Sequence, residues 1–369
     1  MPTRKLVVRY EQDLTLFPDR WHKIGLVTIS LLAVIFPIVA SDYWLGISLD
    51  TMIAIVGAIA MMILTGFAGQ VSLGHAAFLG VGAYTAAILG SVYGIPFWIT
   101  LPLAGVMSTL VGLTVGPFAL RLEGLYLAIV TVGLLFLVQH TIKQGIEPFY
   151  DKDSFLVSMH TWFVSDPEER SGLGRFFEDS DFFGCIFSFK QKLYLFFIAL
   201  TTGVVWVSRN IQRSRIGRAM MSVRDRDNTA AVLGINPTRV KFVAFGVSSF
   251  LAGVAGAMYA YAHPTISLDV TTGEPFSLTM SVLYLAMVVL GGIGTTFGAV
   301  WGAIALTVLF PLAEYMGHYL PFPESFSTEQ QGALIFFPLL CLFLVFEPLG
   351  ILGIWLRIKR YFMAWPFKY

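Results

Sequence analysis

Apolar residues run through this chain in long unbroken blocks, without the alternation of a half-buried strand or the single stripe of a soluble helix. Blocks that could cross a hydrocarbon layer about 30 Å thick recur near 24–41, 49–67, 71–92, 96–119, 122–140, 193–208, 240–262, 278–294, 297–316 and 333–347. The blocks at 193–208 and 333–347 are the shortest. Missing period-two alternation excludes a membrane β-barrel. The pattern predicts an all-α fold: a polytopic transmembrane bundle of about ten spans. A charged extension (1–23) precedes the membrane domain (24–356), and a basic tail (357–369) follows it.

Composition sharpens this picture. Of 369 residues, 56% are hydrophobic and 13% charged, about half the charge of a soluble domain. Lipid must be the solvent for most of the surface. The extension mixes Arg4, Lys5, Arg9, Glu11, Asp13, Asp19, Arg20 and Lys23. No small-residue cleavage site follows it, which argues against a removable signal. Cys185 and Cys341 lie far apart and make neither metal spacing nor a disulfide framework.

Charge then sets orientation, because cytoplasmic loops carry the excess of Lys and Arg. Segment 209–239 holds Arg209, Arg213, Arg215, Arg218, Arg224, Arg226 and Arg239 against Asp225 and Asp227, so it is expected inside. Counting spans from it puts both termini inside. The tail residues Arg357, Lys359, Arg360 and Lys368 agree. The 143–192 insert is then external. It is rich in acids, among them Glu147, Asp151, Asp153, Glu168, Glu169 and Asp181, and carries Trp162, Phe176 and Phe177. Two halves, near 49–140 and 193–316, are candidates for an inverted repeat, which requires an odd number of spans in each half.

The chemistry that is missing also discriminates. The chain has no Gly-x-x-x-x-Gly-Lys-Ser/Thr, so it should not hydrolyse ATP itself. Neither a zinc-protease helix nor a Gly-x-Ser-x-Gly turn occurs. Glu123, Glu274, Glu314 and Glu347 fall near span ends, so the buried acid relay of an ion-driven pump is missing. A secondary transporter or a membrane enzyme is correspondingly disfavoured. One polar cluster stands out: Gln70, Ser72, Gly74 and His75 place amide, hydroxyl and imidazole in an apolar setting, where each needs a partner. With Tyr84 and the glycines Gly291, Gly292 and Gly294, they are candidates for a translocation path or a helix break-point.

Three stretches resemble one family, the branched-chain amino acid ABC permeases of the LivM type. They are Gly69–Ile88 (GQVSLGHAAFLGVGAYTAAI), Ser214–Ala219 (SRIGRA) continuing through Arg224–Lys241 (RDRDNTAAVLGINPTRVK), and Met287–Ala303 (MVVLGGIGTTFGAVWGA). Leu120–Thr131 and Glu347–Ile351 match more weakly. The chain departs from the family after the fifth span, where Lys143–Lys152 and the acidic insert replace a Thr-Gly-Gly turn.

The resemblance implies a non-catalytic permease subunit of the bacterial inner membrane, importing branched-chain amino acids or, as in relatives, urea, short amides or aromatic carboxylates. It implies four kinds of partner besides the bilayer: a second permease (LivH type), two cytoplasmic ATPases (LivG and LivF type) and an extracytoplasmic solute-binding protein. No nucleic acid is involved. The chain itself binds no cofactor, and Mg-ATP sits on the partners. Residues 227–235 are expected to form a short coupling helix seated on an ATPase. Asn228, Ala230, Ala231, Leu233, Gly234 and Ile235 supply its small and apolar surface, and Arg218, Arg224 and Asp225 precede it.

Overall fold

The computed structural model describes residues 33, 35–91, 93, 95–119, 124–142, 144, 180–182, 185–187, 189–263, 276–317, 328–347 and 350–364. The N-terminal extension, most of the first expected span and most of the insert lie outside these residues. Helix α1 covers Asp42–Met61 and widens into a π-helical turn over Met62–Phe67. Helices α2 (His75–Ser91), α3 (Phe97–Ala119) and α4 (Leu125–Thr141) follow. After a small antiparallel hairpin, β1 (Ser180–Phe182) and β2 (Cys185–Phe187), come α5 (Phe189–Arg213), α6 (Arg215–Asp225), α7 (Asp227–Val232) and α8 (Pro237–Ala262). Helices α9 (Leu278–Gly291), α10 (Thr296–Gly317), α11 (Thr328–Phe346) and α12 (Gly350–Ala364) complete the order.

Among the described residues, five helical segments are long and apolar enough to cross a membrane: Asp42–Phe67, Phe97–Thr114, Lys190–Arg213, Pro237–Ala262 and Thr296–Ala313. Shorter apolar helices lie at His75–Gly90, Tyr126–Thr141, Leu278–Gly291 and Leu334–Phe343. The chain is a multi-pass, mainly helical membrane protein.

The structure corrects the sequence reading in five places. Residues 68–74 are not helical, so the third block starts at His75 and not at 71. The short 193–208 block is the middle of a 25-residue helix. Its ends carry Lys190, Lys192, Arg209 and Arg213, which end the apolar block without ending the helix. The 278–294 block stops at Gly291, where the chain enters positive φ. Helix α12 was not expected. It runs across residue 357, because Arg357, Lys359 and Arg360 interrupt the apolar block without interrupting the helix. The hairpin is a β element in a fold expected to be all-α.

Helix starts are set locally. Asn236 accepts from the Arg239 N–H (3.2 Å) with Pro237 in the first turn of α8, and Ser214 accepts from Gly217 N–H (3.1 Å) to start α6. Both are N-cap arrangements. Helix α8 is the centre of the bundle and packs on α1, α2 and α3; α10 packs on α1, α9 and α11. Lipid supplies no hydrophobic force to choose helix partners, so close backbone approach and interhelical hydrogen bonds must do so. Ser108 Oγ donates to Phe78 O (3.0 Å), Ser248 Oγ to Ala60 O (2.8 Å), and Thr51 pairs with Thr307 (3.1 Å). Such bonds contribute about 0.6 kcal/mol each on average. The glycines allow the approach: a side chain at Gly82 would collide with the Gly253 backbone, and one at Gly256 with the Leu79 carbonyl.

Candidate functional site

Two interrupted helices meet at one end of the bundle. The first interruption follows the π-helical turn. Gln70 N–H donates to Leu64 O (3.1 Å) and Thr65 Oγ1 to Gln70 O (3.1 Å). Other helices meet the remaining backbone donors: Leu73 N–H reaches Thr131 Oγ1 (3.0 Å) on α4, and Ala76 N–H reaches Ser281 Oγ (2.9 Å) on α9. A broken helix in lipid requires such replacements. His75, 1% exposed, places Nε2 at 3.0 Å from the Gly57 carbonyl. A carbonyl can only accept, so Nε2 carries the proton. The ring lies edge-on to Tyr284 (5.2 Å between centroids).

The second interruption covers residues 292–295, between α9 and α10. Thr295 Oγ1 accepts from Gly298 N–H (3.1 Å). Ser208 on α5 pairs with Thr296 (3.2 Å), and the Arg209 guanidinium stacks over Phe297 (4.8 Å). The two interruptions touch: a Cβ at Gly66 would lie 2.9 Å from Gly294 N.

Helices α6 and α7 cap this junction. Arg224 donates from Nη1 to Gly66 O (2.7 Å) and from Nε and Nη2 to Asp225 Oδ1 (3.1 and 3.0 Å). Asp227 pairs with Lys241, tying the start of α7 to α8. Beyond it the small helix turns outward. Ala230 is buried, while Val232 is 87% and Leu233 73% exposed. Asn228, Ala231 and Gly234 are exposed too, and Ile235 is half-buried. Arg218 folds back on the Arg213 carbonyl (2.9 Å).

The expected site residues therefore separate into two groups. Ala231, Leu233 and Gly234 sit together on the outward tip. Arg224 faces the bundle. Ser72, Gln70, His75 and Tyr84 are all buried within this chain. Tyr84 lies away from the junction, on a groove of about 1000 Å³ between α2, α3 and α4. Gly291 packs on Gly298, and Gly292 and Gly294 form the second turn. Thr131, Ser281, Ser208 and Arg209 were missed; isolated hydroxyls and loop arginines carry no local signal. The five stretches singled out in the sequence meet here, since Gly350 also sits against Leu290 O at the end of α9.

Residues 43–343 match the model of the family described as branched-chain amino acid transport system / permease component. The chain belongs to this family. The permease is 32% identical over 302 residues to the high-affinity branched-chain amino acid transport system permease protein LivM of Salmonella typhimurium, covering 81% of this chain and 70% of that one. LivM of Escherichia coli gives the same identity and coverage. The corresponding protein LivH of Salmonella typhimurium is 34% identical over 143 residues, 39% of this chain and 41% of that one. No solved structure matches. The named relatives are permease proteins, and the junction is built from the stretches of this chain that carry the family resemblance.

Proposed function

We propose that this permease and a second, LivH-type permease form the path of an ABC importer in the bacterial inner membrane. The solute is a branched-chain amino acid or a similar small polar molecule. An extracytoplasmic binding protein delivers it, and two cytoplasmic ATPases (LivG and LivF type) hydrolyse Mg-ATP; this chain binds no cofactor and is not an enzyme. The observation that carries the reading is the exposed apolar tip of α7, in the most basic segment of the chain and tied through Arg224 to two broken helices. Val232 and Leu233 in water are best explained by a partner that covers them. Gln70, Ser72 and His75 sit at the first break; Gln70 Oε1 and His75 Nδ1 have no hydrogen-bond partner among the described residues, which favours a role in shaping the solute path.

Uptake of L-leucine into proteoliposomes tests this. It should require the ATPase chains and ATP, and Ser72→Ala and His75→Ala should lower it several-fold in complexes that still assemble. Uptake driven by an ion gradient alone would refute the importer reading.

The same reading has ten spans, both termini inside, and parts at 1–23, 24–356 and 357–369. In that topology the ends of α1 and α9 and the basic segment lie on one side, as the Arg224–Gly66 contact needs. With Cys185 and Cys341 replaced, single cysteines at Arg215 and Ser171 should label from opposite faces of the membrane. Labelling of both from one face would sink the topology.

A further inference from the structure

We infer that Arg224 is the latch through which movement of the α6–α7 segment reaches both helix interruptions at once. The inference rests on the importer reading. It gives Arg224, expected only as a neighbour of the coupling helix, a positioning role inside the bundle.

Three observations converge on this one side chain. Its Nη1 donates to the carbonyl of Gly66, in the π-helical turn that ends α1. In an α-helix that carbonyl would be used four residues on; here the break leaves it for the guanidinium. The aliphatic stem lies on Gly69, where a Cβ would come within 2.8 Å of Arg224 Cγ. The guanidinium lies on Gly294, where a Cβ would come within 2.7 Å of Nη1. Gly69 (φ +69°) and Gly294 (φ +89°) both hold the left-handed backbone, so glycine is needed twice over: for the turn and for the space.

The geometry also explains why arginine is required. Asp225 Oδ1 takes Nε and Nη2, which leaves Nη1 aimed at Gly66. A guanidinium is a rigid fork that fixes these directions relative to one another; an ammonium is a rotating point charge and cannot. The side chain is about one-third exposed, so it sits at the boundary between the cytoplasmic segment and the bundle. Three residues after Arg224, Asp227 pairs with Lys241 and fastens the start of α7 to α8. Only Arg226 separates α6 from α7, so a tilt of α7 passes directly to the end of α6 and to Arg224, which touches both breaks. Because the breaks also touch each other through Gly66 and Gly294, withdrawing Arg224 removes the clamp across their contact. The latch holds them together until the partner on α7 moves.

The test uses the assembled complex in proteoliposomes, with Cys185 and Cys341 replaced and spin labels at Val71→Cys and Ile293→Cys, two exposed positions on the two breaks. Distances are measured without nucleotide and after trapping with ATP and vanadate. Stimulation of ATP hydrolysis by the leucine-loaded binding protein is measured alongside. The parent should show a nucleotide-dependent shift. Arg224→Gln and Arg224→Lys should lose it, and stimulation should fall roughly tenfold, within the usual range for coupling between sites. Asp225→Asn, which keeps the guanidinium but loosens its aim, should give an intermediate loss; it also carries the test if the Arg224 variants fail to assemble. A parental shift and normal stimulation in these variants would overturn the latch and leave the importer intact. A parent with ATP-dependent uptake but no shift would do the same. Uptake without ATP would remove both.

Discussion

Ala231→Trp or Gly234→Asp should leave the permease inserted and assembled, and abolish substrate-stimulated ATP hydrolysis and uptake. Ala231 is exposed at the tip of α7, beside Val232 and Leu233. A small residue next to two exposed apolar ones allows a partner surface to come close, and an indole would hold it off by several ångströms. Gly234 adopts φ +82° with open space around it. An aspartate there meets backbone strain and, once covered, a desolvated charge. Together these should cost on the order of 3 kcal/mol or more of docking energy, more than a hundredfold in affinity. Ala231 is exposed and Gly234 has open space around it among the described residues, so folding should be spared. ATPase co-purification and stimulated hydrolysis are the measurements. Normal values in both variants would reduce the segment to a topological signal and move the docking surface to another turn.

The largest effect on folding is expected inside the bundle. Gly82→Leu and Gly256→Val should each prevent recovery of monodisperse protein from the membrane. Helices α2 and α8 meet through these glycines, and any side chain would fall on main-chain atoms of Gly253 or Leu79. Backbone cannot rotate out of the way as a side chain can, so the penalty should exceed the usual ~1–3 kcal/mol of an overpacked core. Gly203 and Gly133 provide the control: nothing lies within 4 Å of a Cβ at either. Gly203→Ala and Gly133→Ala should purify normally with an unchanged thermal midpoint. Equal loss in all four variants would show that helix propensity in lipid, and not the α2–α8 contact, sets the requirement for glycine.

Much of the framework was legible from the apolar blocks. Helices α3, α4, α8 and α10 lie within a few residues of their expected limits, because a block that must stay in lipid cannot be anything but helical. A short helix within 227–235 was also expected, on the family resemblance, and it covers Asp227–Val232. The errors have a common origin. Hydropathy weighs side chains, whereas helix ends are decided by backbone hydrogen bonds. The Lys and Arg ends of α5, and all of α12, therefore disappeared from the pattern although they are helical. The opposite error occurred at 71–74, where apolar side chains sit on a backbone that Thr131 and Ser281 hold out of the helix.

Sequence alone determined which blocks are apolar enough for lipid, which segment is basic and which stretches match a permease family, because each of these follows from a residue's own preference or from its immediate neighbours. It also marked the polar cluster at 70–75 and the glycines at 291–294 as places where the chain departs from an ordinary span. Only the tertiary structure decided that these two departures are one place and that Arg224, 158 residues from Gly66, closes it. Nothing local distinguishes that arginine from its six neighbours in the basic segment. Its role comes from a carbonyl freed by a π-helical turn and from two absent Cβ atoms. Those are properties of distant backbones brought together, and in lipid no general hydrophobic force says which backbones will meet.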